Sequence, residues 1–160
     1  MELRLARPEE LDELGELSVA AYEEFMLGAE DGYRLHVRDA ARRAREAELW
    51  VAAEGDALLG CVTYCPPGSP WREISTAEEG EFRMLAVHPD ARGRGAGLAL
   101  AELCEDRARQ HGATGMVLSS LADMAAAHRL YARLGYTRSP DRDWDPMPGV
   151  HLIAFDKVLA

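Results

Sequence analysis

The sequence predicts one mixed α/β domain built around a single sheet, in the element order βααβββαβαββ. Three observations predict it. Short apolar runs of strand length alternate with segments of helical periodicity, a pattern that wraps helices around one sheet. The 160 residues, 48% hydrophobic and 29% charged, suffice for one core and not for two independent ones. No internal repeat or low-complexity stretch divides the chain.

Taken in order, Leu3 and Leu5 alternate with Arg4 as a short strand, and Pro8-Glu9-Glu10 opens a helix with proline and acids in its first turn. That helix runs to about Met26 on a stripe of Leu11, Leu14, Leu17, Ala21 and Phe25. Gly28 and Gly32 break it before a second, arginine-rich helix from about Tyr33 to Ala47. Residues 49 to 54 and 57 to 65 read as two strands around a Gly55-Asp56 hairpin turn, ended by the Pro66 to Pro70 cluster. Glu81 to Val87 is a strand stopped by Pro89, residues 95 to 111 are a helix closed by Gly112, and Met116-Val117-Leu118 is a buried strand. Asp123 caps a further helix whose face is Ala127, Leu130, Tyr131 and Leu134, closed by Gly135. Strands near Tyr136 to Arg138 and Val150 to Val158 flank a loop holding Pro140, Pro146 and Pro148.

Charge narrows the function classes. The net charge is −10, and residues 1 to 60 alone carry 15 acidic against 7 basic side chains. Such a surface repels polyanions, and no basic patch large enough to bind nucleic acid or an anionic membrane is present. No apolar run reaches membrane-spanning length and Met1-Glu2-Leu3-Arg4 is no export signal, so the expected location is the cytoplasm. Cys61 and Cys65 share a strand face about 13 Å apart, too far to bridge. Cys104 lies among Ala and Leu of a helix, so three free thiols are expected.

The informative stretch is Val87-His88-Pro89-Asp90-Ala91-Arg92-Gly93-Arg94-Gly95-Ala96-Gly97-Leu98. A strand ends, three alternate glycines follow, and a helix begins. Glycine permits positive φ and carries no Cβ, so successive N–H groups can converge on an anion at the positive end of the helix dipole. No Gly-Lys-Ser/Thr follows, as a P-loop requires, and the last glycine of a dinucleotide fingerprint is missing.

Arg92-x-x-Gly95-x-Gly97 after a strand ending in Val87 resembles the acyl-CoA pyrophosphate loop of the GNAT superfamily of N-acetyltransferases. Ala127-x-x-Leu130-Tyr131-x-x-x-Gly135-Tyr136 is similar to that family's second motif, and the element order fits it from Leu3 to Val158. One departure is Met124, where many relatives carry an asparagine; no contact of that side chain carries over.

The resemblance implies a splay between the fourth and fifth strands into which the pantetheine arm of acetyl-CoA, the co-substrate, inserts. Leu85, Ala86 and Val87 would bond it as an added strand edge, and Arg92, Gly93, Arg94, Gly95, Ala96 and Gly97 would hold the pyrophosphate. His128, one turn before Tyr131, is grouped with the cofactor-binding residues, a surface role being its plainer alternative. No metal is implied. Glu81 matches the position of a catalytic glutamate in several members, and its alternation with Arg83 and Leu85 puts the three on one face; it would take a proton from the amine, or else be an ordinary strand glutamate. Tyr131 would protonate the departing thiolate, its alternative being a core ring with a satisfied hydroxyl.

The acceptor side is expected among Tyr22, Glu23, Glu24, Glu30, Asp31, Asp141, Asp143, Trp144 and Asp145, where acids around an aromatic suit a cationic amine. Arg38, Arg42 and Arg45 read as a solvated face paired with Glu46 or Glu48. The implied activity is acetyl transfer to a primary amine of a small molecule, peptide or protein by direct attack. The alternative is a catalytically idle acyl-CoA-binding module; a nucleotide-phosphate binder is a third reading. A homodimer is left open as the assembly.

Overall fold

The computed structural model describes residues 1–25 and 31–160. Its strands are β1 (Glu2–Leu5), β2 (Glu48–Glu54), β3 (Ala57–Cys65), β4 (Glu79–Val87), β5 (Gly115–Leu121), β6 (Thr137–Arg138), β7 (Trp144–Met147) and β8 (Val150–Val158). Its helices are α1 (Leu11–Tyr22), α2 (Asp31–Arg38), α3 (Ala40–Glu46), α4 (Ala96–Gln110) and α5 (Ala125–Arg133). The sheet runs β1-β2-β3-β4-β5-β8-β6, with β7 beside β6 on the free edge of β8. Every pairing is antiparallel except β4 with β5.

Helices α1 to α3 cover one face, burying Leu14, Leu17, Val37 and Ala40 against Leu49, Val51, Cys61 and Cys65. Helices α4 and α5 cover the other, where Leu100, Cys104 and Tyr131 meet Val62, Phe82, Met116 and Leu118. All three cysteines are free and buried, as expected. A buried polar cluster links α4 to the far edge: Glu105 accepts from Lys157 Nζ at 2.9 and 3.1 Å and from the Tyr136 hydroxyl at 3.0 Å.

Four expectations are corrected. The predicted second helix is two, because Asp39 leaves helical geometry and its carboxylate caps the Arg42 N–H at 3.1 Å. Arg43, fully buried, donates to the His36 and Val37 carbonyls at the end of α2, at 3.2 and 2.7 Å. Gly32 lies inside α2 instead of breaking the chain before it. The cap of α5 is Met124, with no side-chain bond, and Asp123 contributes only its carbonyl. The loop before β8 contains a further strand, β7, whose Pro146 is tolerated because β7 pairs on one side only. The observed order therefore has one more helix and one more strand than predicted. The predicted end of the first helix at Met26, the break at Gly28, and the side chains of Glu30 and Asp31 lie outside the described residues.

The parallel pair opens where the chemistry was expected. Strand β4 pairs with β5 only from Glu79/Gly115 to Phe82/Leu118, and then Arg83 to Val87 and Ser119 to Leu121 diverge. On the other side, Val62 of β3 faces two residues, Met84 and Leu85, as the register jumps from Thr63/Arg83 to Cys61/Ala86. Met84 takes φ +54°, the only non-glycine in the left-handed region among the described residues. This is a β-bulge, and it re-aims the strand. It also corrects the expected alternation: Met84 and Ala86 enter the core under α1 while Phe82 and Leu85 enter the core under α4, so Leu85 does not share a face with Glu81 and Arg83.

Candidate active site

The Arg92 to Gly97 loop has the backbone geometry that an anion cradle requires. Gly93 and Gly95 take φ of +80° and +85°, a region closed to most side chains. Among the described residues, none of the N–H groups of residues 92–98 finds a protein acceptor; the first bond out of the loop runs from Ala99 N to Gly95 O at 3.0 Å. Seven unpaired donors at the positive end of a 15-residue helix favour an anion. Gly97 serves differently: a Cβ there would stand 3.3 Å from Leu130 and 3.5 Å from Val87, so its bareness lets α4 approach α5. The Arg92 and Arg94 side chains are half-exposed and paired with Glu24 and Glu54.

From this cradle a groove of about 520 Å³ runs between α4 and α5, walled by Val87, Ala91, Leu98, Ala127, Leu130 and Arg133 and reaching Leu85 and Met124. Leu85 and Met124 also line a cavity of about 20 Å³ in the splay, with Tyr22, Tyr33, Arg83, Ser119 and Tyr131. Groove and cavity therefore share these two residues as a common wall. The Tyr22 hydroxyl donates to the Leu85 carbonyl at 2.9 Å, fixing the bulged strand at the junction. Met124, at the departure from the family motif, is here an apolar wall, held by its N–H to the Leu121 carbonyl at 3.2 Å.

Tyr131 lines that cavity, 4% exposed, its ring packed against Phe82, Tyr136 and Phe155 at centroid distances of 5.8 to 6.1 Å. Its hydroxyl makes no hydrogen bond among the described residues. Burial, with a smaller contribution from Cys104, pushes the phenol well above its usual range, so it stays protonated at neutral pH. A protonated, unengaged hydroxyl at the inner end of a groove suits a proton donor.

Glu81 is elsewhere. It is fully buried, and its Oε1 accepts from Glu73 N at 2.9 Å, Ile74 N at 3.3 Å, Ser75 N at 3.2 Å and Ser75 Oγ at 2.9 Å. It lines neither groove nor cavity. Through these four bonds it anchors the 73–75 loop. His128 is likewise turned away: its Nε2 lies 3.1 Å from both Ser120 Oγ and Leu121 O, its ring packs on Phe155, and burial lowers its pKa.

Three of the acids expected on the acceptor side have partners within the chain. Asp143 is held by Arg138 at 2.7 Å and by Ala154 N at 2.8 Å, Asp145 lies 2.6 Å from His151, and Glu23 pairs with Arg34. Trp144 does face inward, but its ring is covered by the Arg83 guanidinium at 5.0 Å. Trp71, which covers that guanidinium at 5.2 Å, went unnoticed in the sequence, and Arg83 was read there only as a face-mate of Glu81. The available signal was an arginine inside the apolar run Phe82 to Val87. On α2 and α3, Arg38 pairs with Glu16 and Arg42 with Glu46, while Glu48 instead meets Arg107.

Comparison with known proteins agrees with this architecture. The chain is 37% identical over 112 residues to a mycothiol acetyltransferase of Geodermatophilus obscurus, a match covering 64% of this chain and 35% of that protein. It thus spans about a third of the length of such relatives. A GNAT-family acetyltransferase structure from Staphylococcus aureus Mu50 superposes with a TM-score of 0.76 at 12% identity over 99% of both chains. The putative acetyltransferase yncA of Salmonella typhimurium, solved with acetyl-CoA, gives 0.67 at 21% identity over 99% of this chain and 94% of that one. With the sheet opened at β4 and β5, a glycine cradle leading α4, and a match to the acetyltransferase (GNAT) family model over residues 11–136, the chain belongs to that family.

Proposed function

We propose that this chain transfers an acetyl group from acetyl-CoA to a primary amine by direct attack in a ternary complex. The observation that carries the reading is the adjacency, across Leu85 and Met124, of a groove headed by seven unpaired N–H groups and a cavity lined by Tyr131. Residues 92–98 would bind the pyrophosphate, and the opened edge of β4 at Leu85, Ala86 and Val87 would align the pantetheine arm as a further strand. The amine nitrogen attacks the thioester carbonyl carbon, the C–S bond breaks, and the Tyr131 hydroxyl gives its proton to the leaving sulfur; the proton that the acylated nitrogen sheds passes to water, and water returns one to the Tyr131 oxygen.

The titratable groups around the small cavity are Tyr22, Tyr33, Arg83 and Tyr131. Burial holds all three phenols above their usual range, so none is a base near neutral pH. The amine must then arrive neutral or lose its proton to water. The same lack of a base among these groups favours the second reading, an idle acyl-CoA-binding module that senses the cofactor.

Following thiol release from acetyl-CoA across a panel of amines of graded pKa separates the two. The enzyme gives amine-dependent release whose kcat/KM rises with pH in step with the free-amine fraction. Tight CoA binding with no release for any amine favours the idle module.

A further inference from the structure

Arg83 is 4% exposed, yet among the described residues it makes no hydrogen bond and no ion pair. Its contacts are the faces of Trp71 and Trp144, at 5.2 and 5.0 Å from the guanidinium carbon. Every other arginine buried to this degree behaves differently: Arg43, fully enclosed, spends its donors on two carbonyls and the Ser18 hydroxyl. A guanidinium carries five N–H donors and a permanent charge, and withdrawing it from water without an acceptor is costly. The Arg83 nitrogens are not sealed off, unlike the Arg43 Nε. They border two spaces, the small cavity shared with Tyr131 and a second cavity of about 130 Å³ between α2, α3, the 70–73 segment and β7.

We propose that Arg83 is the acceptor-recognition residue, and that the acceptor carries a carboxylate within a few bonds of the reacting amine, as an amino acid does. The inference rests on the small cavity being the reacting centre. Arg83 borders that cavity, so an anion it binds lies beside the amine. The fork of a guanidinium matches the two oxygens of a carboxylate in plane, and indole faces hold its plane while leaving the fork free. The second cavity also contains Glu46 and Glu73, which oppose a dianion such as a phosphate and tolerate a zwitterion. Glu46 is itself tied to Arg42 and the Trp71 indole N–H, at 2.9 and 3.0 Å, so it does not compete for Arg83.

The test compares amino acids with their carboxamides, and with the matching aminophosphonates, on the full chain. Thiol release gives kcat/KM, and calorimetry on the CoA-bound protein gives affinity. Wild type should prefer an amino acid over its amide by about 10²-fold or more, mostly through KM. In Arg83→Gln the two should fall to within about threefold of each other with CoA affinity unaltered, and Arg83→Lys should restore part of the preference. Equal use of acid and amide by wild type overturns the proposal even if neither variant folds, while leaving the acetyltransferase reading standing. A preference that survives in folded Arg83→Gln, or a stronger preference for the phosphonate, also overturns it. Carboxylate binding lost in Arg83→Gln, with no thiol release for any amine, upholds Arg83 and removes the transferase reading instead.

Discussion

The two ends of the site are built from different materials. The cofactor end is backbone: glycines in the left-handed region, a helix terminus and a strand edge, drawn from one stretch of twelve residues between Val87 and Leu98. The acceptor end is side chain: Trp71, Arg83 and Trp144 converge from a loop, a bulged strand and an edge strand. The family match, residues 11–136, covers the first end whole and, of the second, Trp71 and Arg83 but not Trp144. On the proposed reading, backbone geometry serves the cofactor and side chains brought from distant segments serve the acceptor.

Breaking the cofactor end should have the largest effect. Gly95→Val forces a β-branched residue to φ +85° and places its methyls where the loop N–H groups converge. Calorimetry should detect no CoA binding, while unfolding free energy falls by only about 1–2 kcal/mol. Unchanged CoA affinity would remove the cradle from the site.

The junction of the two ends is tested next. Tyr131→Phe removes a hydroxyl that has no partner, so stability and CoA affinity should hold while kcat falls about 10²-fold or more. An activated thioester, whose thiolate needs no proton, should shrink the defect. An equal defect for both thioesters assigns the proton to another donor.

Glu81 sharpens the contrast from the support side. Glu81→Ala strips the acceptor from three backbone N–H groups and a hydroxyl, and should cost about 2–3 kcal/mol in urea unfolding. Glu81→Gln keeps an acceptor oxygen and should cost less. If kcat/KM near pH 7 collapses in a folded Glu81→Gln and recovers at high pH, the base returns to Glu81.

The smallest effect concerns His36, stacked on Trp71 at 4.9 Å in the acceptor cavity. Burial and then Arg83 lower its pKa to about 4. Because the unfolded imidazole titrates near 6.5, the unfolded chain binds the extra proton first, and stability drops as pH falls from about 6.5 toward 4. His36→Gln should flatten that part of the Tm-against-pH curve by a few degrees at most. An identical curve would show that the imidazole is as well solvated as in a free peptide.

The same division explains what could be read without coordinates. Alternate glycines after a strand state their geometry locally, and the periodicities of α1, α4 and α5 survive in the fold. The bulge does not announce itself, because a methionine at positive φ is imposed by strand packing and no residue type signals it. Glu81 and Arg83 therefore looked alike, two charges two apart on one strand, and only tertiary contact separates an anchor with four donors from a guanidinium with none. The break at Asp39 was signalled by a capping residue ahead of Arg42, but the arginine-rich stretch read as one continuous solvated face.

One lysine stands among the 18 basic residues of this chain, and it is Lys157, whose ammonium is bound by Glu105 at 2.9 and 3.1 Å and lies over the Tyr136 ring. Acyl thioesters modify exposed lysines without any enzyme, and a protein that gathers them is the first at risk. With arginine carrying the positive charge elsewhere, this surface offers the thioester no ε-amine that is not already engaged. Thiol-release assays on it should therefore run over a low background of lysine acylation.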